Sequence, residues 1–290
     1  MERIPESLRG LWPHPPLGHP TSAGRMHYVD IGPRNARPVL LVHGNPSWGF
    51  LWRDLAAELV ARGRRVIIPD HIGMGLSERS PRRLRLEDRI QHLGSLIDAL
   101  QLSELDLGVH DWGGAIGLGL AGRTPQRFRR LLVTNTAAWP SPEIPHRIAL
   151  CRTPFLGRFL VQQLDGFAWP ATWMATESPL SPLVKAGFLA PYASASRRQA
   201  VADFIADIPM EPQHPTRATL AEVNQRLATL ADHPICLLWG ARDFCFTPRF
   251  AEGFAQRWPR ASLHLLPRAG HYLFEDGGPA SVRLAADFLG

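Results

Sequence analysis

The stretch Gly108-Val109-His110-Asp111-Trp112-Gly113-Gly114 decides the fold of this chain. An apolar run from Leu105 to Val109 leads into it, and a small-residue segment with helical character follows from about Gly113 to Gly122. A strand, a sharp turn and a helix in this order lift one side chain above the end of a parallel sheet. We predict that this side chain is Asp111.

The residue type at the turn indicates the chemistry. The usual nucleophile at such a turn is Ser, which attacks carbonyl carbon. The carboxylate of Asp111 is better suited to displacing a leaving group from saturated carbon, which forms an alkyl ester with the protein. The sequence therefore favours a covalent alkyl-aspartate intermediate.

Length and composition favour one large folded unit. The chain has 290 residues, 45% of them hydrophobic, and nine Trp, which argues against disorder. Its net charge of +6 is carried almost wholly by scattered Arg, and Lys185 is the one Lys. No dense basic run is present, so we do not expect a nucleic-acid partner.

Several site types and targeting signals are not expected. Cys151, Cys236 and Cys245 are widely spaced and are interpreted as free thiols of a reducing cytoplasm, without a metal-ligand pattern. The Gly-rich run from Gly117 to Gly122 falls inside the predicted helix, so it is not a dinucleotide fingerprint. The sequence implies no cofactor and no metal. A cytoplasmic location is predicted, since neither a secretory signal region nor a membrane-spanning apolar run is evident.

Strands and helices alternate along the chain. Apolar runs predict strands at Arg25–Ile31, Pro38–Val42, Arg65–Pro69, Leu105–Val109, Arg130–Thr134, Pro234–Trp239 and Ala261–Leu266. Helical spacing predicts helices at Phe50–Ala61, Leu86–Leu100, Gly113–Gly122, Thr247–Arg257 and Pro279–Phe288, after a Pro-rich lead-in with no regular pattern. This alternation predicts an α/β fold with a mostly parallel sheet flanked by helices.

One long segment interrupts the alternation. We predict a first core part at 1–137, an inserted helical cap at 138–213 and a second core part at 214–290. The cap holds many Pro and the large apolar residues Trp139, Phe155, Phe159, Phe167, Trp169, Trp173, Met174 and Phe188. Each of these residues alone is more simply interpreted as the core of the cap itself. The cap as a whole is expected to enclose an apolar substrate pocket.

Two residues are predicted to complete a catalytic triad with the nucleophile. Asp243 and His271 each follow a predicted strand, and nucleophile, acid and histidine in this order is typical of α/β-hydrolases. His271 would activate a water, while Asp243 would orient the imidazole and stabilise its cation. Asn135, at the alternative position for the acid, cannot act as a carboxylate.

Rival groups have weaker sequence contexts. Asp70 and Asp276 are alternative acids, but Asp243 lies in the better turn-rich loop. Structural roles are predicted for three other histidines, His43, His110 and His264, of which the last lies inside a strand.

Two motifs carry a family resemblance. His43-Gly44-Asn45-Pro46-Ser47-Trp48 and His110-Asp111-Trp112-Gly113-Gly114 resemble the haloalkane dehalogenase branch of the α/β-hydrolases, and the resemblance extends from about Tyr28 to the C-terminus. It implies that the side-chain N–H groups of Asn45 and Trp112 bind the leaving halide, which two neutral donors can stabilise. Backbone N–H groups of the same two residues would form an oxyanion hole.

The resemblance narrows to one subfamily. The set Asp111, His271, Asp243, Asn45 and Trp112 is similar to the third subfamily, which includes the β-lactone decarboxylases of bacterial long-chain olefin synthesis. Three further stretches are most similar to that olefin-pathway group: Pro69–Ser77, Gly166–Ala168 and Gly187–Tyr192. The resemblance also implies association with the synthetase and reductase of the same route, whereas the oligomeric state stays open.

Two chemistries thus remain open for one site. In a decarboxylase, Asp111 would open the ring of a cis-3,4-dialkyl oxetan-2-one by attack at its alkyl carbon. The ester intermediate would then lose CO₂ and expel Asp111, without the use of water. Attack at the carbonyl, giving a mixed anhydride, stays an alternative. A haloalkane dehalogenase would release halide and hydrolyse the ester through His271.

Other functions rank lower. An epoxide hydrolase is third, because of the three Tyr in the chain only Tyr192 lies in the cap. A binding module without activity is disfavoured, since every triad position is filled. The expected partner is a small apolar substrate. A second interaction also stays open, in which the basic cap rests on a membrane surface.

Overall fold

A single eight-stranded sheet forms the centre of the molecule. The structure is a computed structural model and describes residues 4–290. Its strands are β1 (Leu17–Thr21), β2 (Gly24–Ile31), β3 (Pro38–Val42), β4 (Arg65–Pro69), β5 (Leu105–His110), β6 (Phe128–Thr134), β7 (Ile235–Gly240) and β8 (Ser262–Leu266). The spatial order is β1-β2-β4-β3-β5-β6-β7-β8. Only the β1–β2 and β2–β4 pairs are antiparallel, so the predicted mostly parallel sheet is confirmed.

Helices cover both faces of this sheet. They are α1 (Arg53–Ala61), α2 (Leu86–Ala99), α3 (Trp112–Arg123), α4 (His146–Arg152), α5 (Leu156–Gln162), α6 (Ala168–Met174), α7 (Pro182–Leu189), α8 (Gln199–Ala206), α9 (Thr216–Arg226), α10 (Pro248–Arg257) and α11 (Leu273–Leu289). Helix α1 packs on α11, whereas α2, α3 and α9 pack on one another. Every residue of β3, β5 and β7 is buried, as in parallel strands covered on both sides.

The prediction was wrong at two places. The Pro-rich lead-in contains strand β1, where Pro20 is tolerated because an edge strand does not need every backbone donor. Helix α11 is broken at Gly278, where φ is 49°, so its second segment agrees with the predicted helix Pro279–Phe288 and only the first segment, which begins at Leu273, was missed. All seven predicted strands lie within two residues of their observed bounds.

The insertion between β6 and β7 is helical, as predicted. Helices α4 to α8 lie in it, whereas α9 packs on α2 and α3 of the core. The boundaries at residues 138 and 213 stay predictions. Among residues 4–290, no helix combines the length and the apolar character that crossing a membrane requires.

Candidate active site

The turn between β5 and α3 holds Asp111 in a strained backbone conformation. Its φ of 54° and ψ of −129° are rare for a residue with a side chain. The Asp111 N–H donates to the Asn135 carbonyl (3.0 Å), and the Asp111 carbonyl accepts from Gly114 N–H (2.9 Å) and the Thr136 hydroxyl. A Cβ at Gly113 would overlap the backbone of β3, so only glycine lets α3 start this close. The predicted elbow is present.

The Asp111 carboxylate has two different oxygen environments. Oδ1 accepts the backbone N–H of Asn45 at 2.5 Å, and the Trp112 backbone N–H also donates to the carboxylate. Oδ2 lies 3.7 Å from His271 Nε2. Burial raises the pKa of Asp111 to about 6, against the lowering effect of the His271 charge and of both N–H donors. The group is therefore ionised at neutral pH and half protonated near pH 6.

His271 and Asp243 form a buried pair beside this carboxylate. His271 Nδ1 donates to Asp243 Oδ2 at 2.8 Å. Burial alone would lower the pKa of His271, but the charge and hydrogen bond of Asp243, with the charge of Asp111, raise it overall. Burial alone would raise the pKa of Asp243, yet the charge and hydrogen bond of His271 lower it. The three predicted triad side chains therefore lie together in the expected order.

Asn135 is a site residue that the sequence analysis missed. It follows β6, and its Nδ2 donates to Asp243 Oδ2 at 2.6 Å. Its Oδ1 accepts the N–H of Gly240 at 3.0 Å. Asn135 was excluded as the triad acid because it is not a carboxylate. Its position at the carboxyl end of the strand next to β5 was nevertheless a signal that its side chain lies in the site. Its amide holds the acid instead of replacing it.

The rival acids have structural partners elsewhere. Asp70 accepts from His27 Nδ1 (2.8 Å) and from the N–H groups of Gly49 (2.8 Å) and Leu76 (2.9 Å), which fastens the loop after β4. Asp276 accepts the N–H groups of Gly270, Glu177 and Ser178, so it joins the cap to the His271 loop. The preference for Asp243 over Asp70 and Asp276 agrees with this geometry.

The remaining histidines have the places predicted for them. His110 Nε2 donates to the His271 carbonyl (2.9 Å), and burial, reinforced by the His271 charge, lowers its pKa to about 3. His43 is buried and bonds the Gly44 carbonyl (2.8 Å), and His264 is exposed on β8. His110 is therefore neutral and supports the loop that carries His271.

A cavity of about 470 Å³ lies between the cap and the sheet, above this carboxylate. Asp111, His271, Asn45 and Trp112 line it, and most other lining side chains are apolar. The Asn45 Nδ2 donates to the Val201 carbonyl at a long 3.3 Å, while its Oδ1 has no partner within the described residues. All four polar groups therefore meet one apolar space, as expected of a small-molecule site.

The large residues of the cap divide into three groups. Trp139, Phe167, Trp173 and Met174 line the cavity. Phe188 is buried and stacks on Tyr272, with ring centroids 4.7 Å apart. Phe155, Phe159 and Trp169 are 92%, 52% and 49% exposed, so their interpretation as the core of the cap was wrong. Helical spacing does not distinguish these groups, because Trp169 and Trp173 lie four residues apart on α6 and yet only Trp173 lines the cavity.

Known proteins resemble the chain along nearly all of its length. A family model described as "alpha/beta hydrolase fold" matches residues 37–278. A cis-3-alkyl-4-alkyloxetan-2-one decarboxylase from Xanthomonas campestris is 37% identical over 276 residues, which cover 91% of this chain and 92% of the relative. A protein of the same name from Shewanella oneidensis is 35% identical over 92% of this chain and 86% of that relative.

Dehalogenases are a second group of relatives. Haloalkane dehalogenase 2 of Mycobacterium tuberculosis is 32% identical over 96% of this chain and 95% of the relative. The crystal structure of haloalkane dehalogenase DbeA from Bradyrhizobium elkani superposes with a TM-score of 0.86 at 26% identity, covering 95% of this chain and 97% of that chain. The chain is a member of the α/β-hydrolase fold family, in the group that contains these decarboxylases and haloalkane dehalogenases.

Proposed function

We propose that the chain is a β-lactone decarboxylase that converts cis-3,4-dialkyl oxetan-2-ones to cis-alkenes and CO₂. The observation that carries this proposal is the 37% and 35% identity to two cis-3-alkyl-4-alkyloxetan-2-one decarboxylases along more than nine tenths of the chain. The site agrees with it, because a buried carboxylate faces an apolar cavity with room for alkyl chains.

In the first step, Asp111 opens the lactone ring. Its Oδ1 is held by the Asn45 N–H, so Oδ2 is the oxygen that attacks the alkyl-bearing carbon next to the ring oxygen. The new carbon–Oδ2 bond forms with inversion as the carbon–ring oxygen bond breaks, and its electron pair leaves with the substrate carboxylate. The side chains of Asn45 and Trp112, both at the cavity wall, are proposed to donate hydrogen bonds to that carboxylate.

In the second step, the carboxylate leaves as CO₂. The electron pair of the breaking carbon–carboxylate bond forms the double bond, and the ester bond to Asp111 breaks on the opposite face. Inversion followed by anti elimination yields a cis-alkene and regenerates the Asp111 carboxylate. No water and no proton is consumed. We therefore propose that His271 and Asp243 contribute charge and orientation to this reaction, without activating water.

A haloalkane dehalogenase is the second candidate, and the structural similarity to DbeA favours it. The same Asp111 would then displace halide toward Asn45 and Trp112. His271, oriented by Asp243 at 2.8 Å, would activate the water that hydrolyses the ester. The two candidates thus share the nucleophile and differ in whether His271 must act as a base.

Epoxide hydrolysis finds less support in the site. Its ring opening requires an acid such as a tyrosine hydroxyl in the cavity, yet none of Tyr28, Tyr192 and Tyr272 lines it. The Tyr192 hydroxyl instead donates to the Ser47 carbonyl at 3.2 Å. Burial also raises the pKa of Tyr192.

Location and partners rest on weaker grounds. We propose a cytoplasmic location, supported by three unpaired cysteines in the described chain, Cys151, Cys236 and Cys245. Assembly with the synthetase and reductase of olefin biosynthesis stays a prediction from the resemblance.

A paired assay tests the proposed function. Purified protein is given a cis-dialkyl β-lactone, with alkene read by gas chromatography, and separately 1-bromobutane or 1,2-dibromoethane, with halide release measured. Asp111→Ala is the blank for both. We expect fast alkene formation and little halide. Fast halide release with an inert lactone would instead establish the dehalogenase.

A further inference from the structure

The cap exposes an unusually apolar outer surface. Eight of the eleven large hydrophobic side chains that are exposed in the described chain fall between positions 150 and 183, a concentration that scattered surface residues do not produce. We name this set the apolar cap surface, and it comprises Leu150, Phe155, Leu156, Phe159, Leu164, Trp169, Trp173 and Leu183. Phe155 is 92% exposed.

Six of these side chains lie on helices α4 to α7, whereas Phe155 directly precedes α5 and Leu164 follows its end by two residues. Helix α4 packs on α5, and α6 packs on α7. Arg147 on α4 reaches Met174 Sδ on α6 at 3.2 Å, which brings the two helix pairs together. On α6, the Trp169 and Trp173 rings are 6.1 Å apart. These contacts bring α4 to α7 together, so the exposed residues lie on one group of adjoining elements.

The apolar cap surface meets the active-site cavity. Leu150 and Trp173 line the cavity, yet they are 49% and 51% exposed. These two residues therefore lie at the boundary between the cavity and the outside. An apolar molecule that crosses this boundary stays in contact with apolar side chains.

Basic side chains accompany this surface. Arg147 is exposed, and Lys185 Nζ lies 5.2 Å from the centre of the Trp169 ring. Arg158, between the exposed residues of α5, is 43% exposed, and its guanidinium also lies 3.5 Å from Asp203 Oδ1. The whole chain carries a net charge of +6. Aromatic and aliphatic side chains with Arg and Lys at their edge match a bilayer surface with anionic headgroups.

We propose that the apolar cap surface docks on a membrane that contains anionic lipid, with the cavity entrance facing the bilayer. A second copy of the chain fits less well, because two basic surfaces repel each other. Membrane docking does not depend on the reaction. Delivery of a dialkyl lactone from the bilayer to Asp111 is the part that rests on the proposed function.

Vesicle flotation tests the docking. The full-length protein is mixed with vesicles of phosphatidylcholine alone, or with vesicles in which about one third of the lipid is anionic phosphatidylglycerol. We expect binding that needs the anionic lipid and weakens in salt. The affinity of the double variant Phe155→Ser/Phe159→Ser for the vesicles should fall by about tenfold or more, since two apolar side chains no longer enter the bilayer. The matched control Leu263→Ser/Leu265→Ser removes two exposed residues of β8 and should bind like the wild type.

A charge series tests the lipid preference. Arg158→Gln/Lys185→Gln should reduce binding to anionic vesicles several-fold, whereas Arg268→Gln/Arg283→Gln outside the cap should have a smaller effect. Absence of vesicle binding, or equal losses in the cap variants and their controls, would overturn the proposal. Wild-type self-association that the Phe155/Phe159 variant abolishes, without vesicle binding, would assign the surface to a second copy.

Flotation needs no substrate, so it is independent of the proposed function. If neither alkene nor halide forms, the docking result still stands. Conversely, the Phe155/Phe159 variant should retain activity on a short-chain, water-soluble lactone, because neither residue lines the cavity. Its rate should fall only when the lactone is presented in vesicles.

Discussion

Replacing His271 with Gln separates the two chemistries that share Asp111. His271 lies 3.7 Å from Asp111 Oδ2 and 2.8 Å from Asp243. Gln can still donate to Asp243, which also keeps the Asn135 amide and the N–H of Cys245 (2.7 Å) as partners. The buried acid therefore stays satisfied, and the variant is expected to fold. What it loses is the base that activates water.

The size of the effect differs between the substrates. With a pKa of about 6, Asp111 is about 99% ionised at pH 8. Losing the His271 charge raises that pKa, so pH 8 is chosen to keep the Asp111 carboxylate ionised in the variant as well. Lactone decarboxylation should thus fall less than about fivefold. Ester hydrolysis should fall about 10²- to 10⁴-fold, the usual contribution of a general base.

The assay compares complete turnover at pH 8. Alkene is measured with the lactone, and halide is followed from the first turnover with 1,2-dibromoethane. With the lactone, we expect His271→Gln to sustain alkene formation. With 1,2-dibromoethane, if the dehalogenase reaction occurs, halide release should stop after about one halide per active site, because the alkyl ester is no longer hydrolysed. His264→Gln is the matched control, because His264 is exposed on β8. Alkene formation as low as in Asp111→Ala, in a variant with normal thermal stability, would refute the water-free mechanism.

Three further predictions follow from the same contacts. Below about pH 6 the lactone rate should fall about tenfold per pH unit, because Asp111 becomes protonated, and a pH–rate profile with circular dichroism as the folding control checks this. Asn135→Ala should lower the free energy of unfolding by about 2–4 kcal/mol in urea denaturation, because Asp243 loses a buried donor; an unchanged value would argue against that bond. Gly44→Ala should reduce activity about 10²-fold, since its Cβ would overlap the Asp111 side chain. Gly10→Ala, whose Cβ meets nothing within 4 Å, should be neutral in the same activity assay.

The sequence alone was sufficient wherever short-range pattern controls structure. Continuous apolar runs such as Pro38–Val42 identify buried parallel strands, because such strands are covered on both faces. The elbow around Asp111 was also predictable, since a strand, small residues and a helix adjoin in the sequence. Chain order was enough to select Asp243 and His271, which the structure brings to the same carboxylate.

Tertiary structure decided what depends on residues that are distant in sequence. Strand β1 was not predicted, because Pro20 interrupts its strand pattern and only the pairing with β2 identifies it as an edge strand. Asn135 gained its function from Asp243, 108 positions away, and no local signal reports a donor for a buried acid.

The cap shows the same division most clearly. Trp169 and Trp173 lie on one turn-spaced face of α6, yet only Trp173 lines the cavity. Phe155 and Phe188 are both aromatic residues of the cap, but one is exposed and the other is buried. Hydrophobicity along the sequence measures how much apolar surface a segment carries, whereas the packing of α4 to α7 determines which part faces the core, the cavity or the outside.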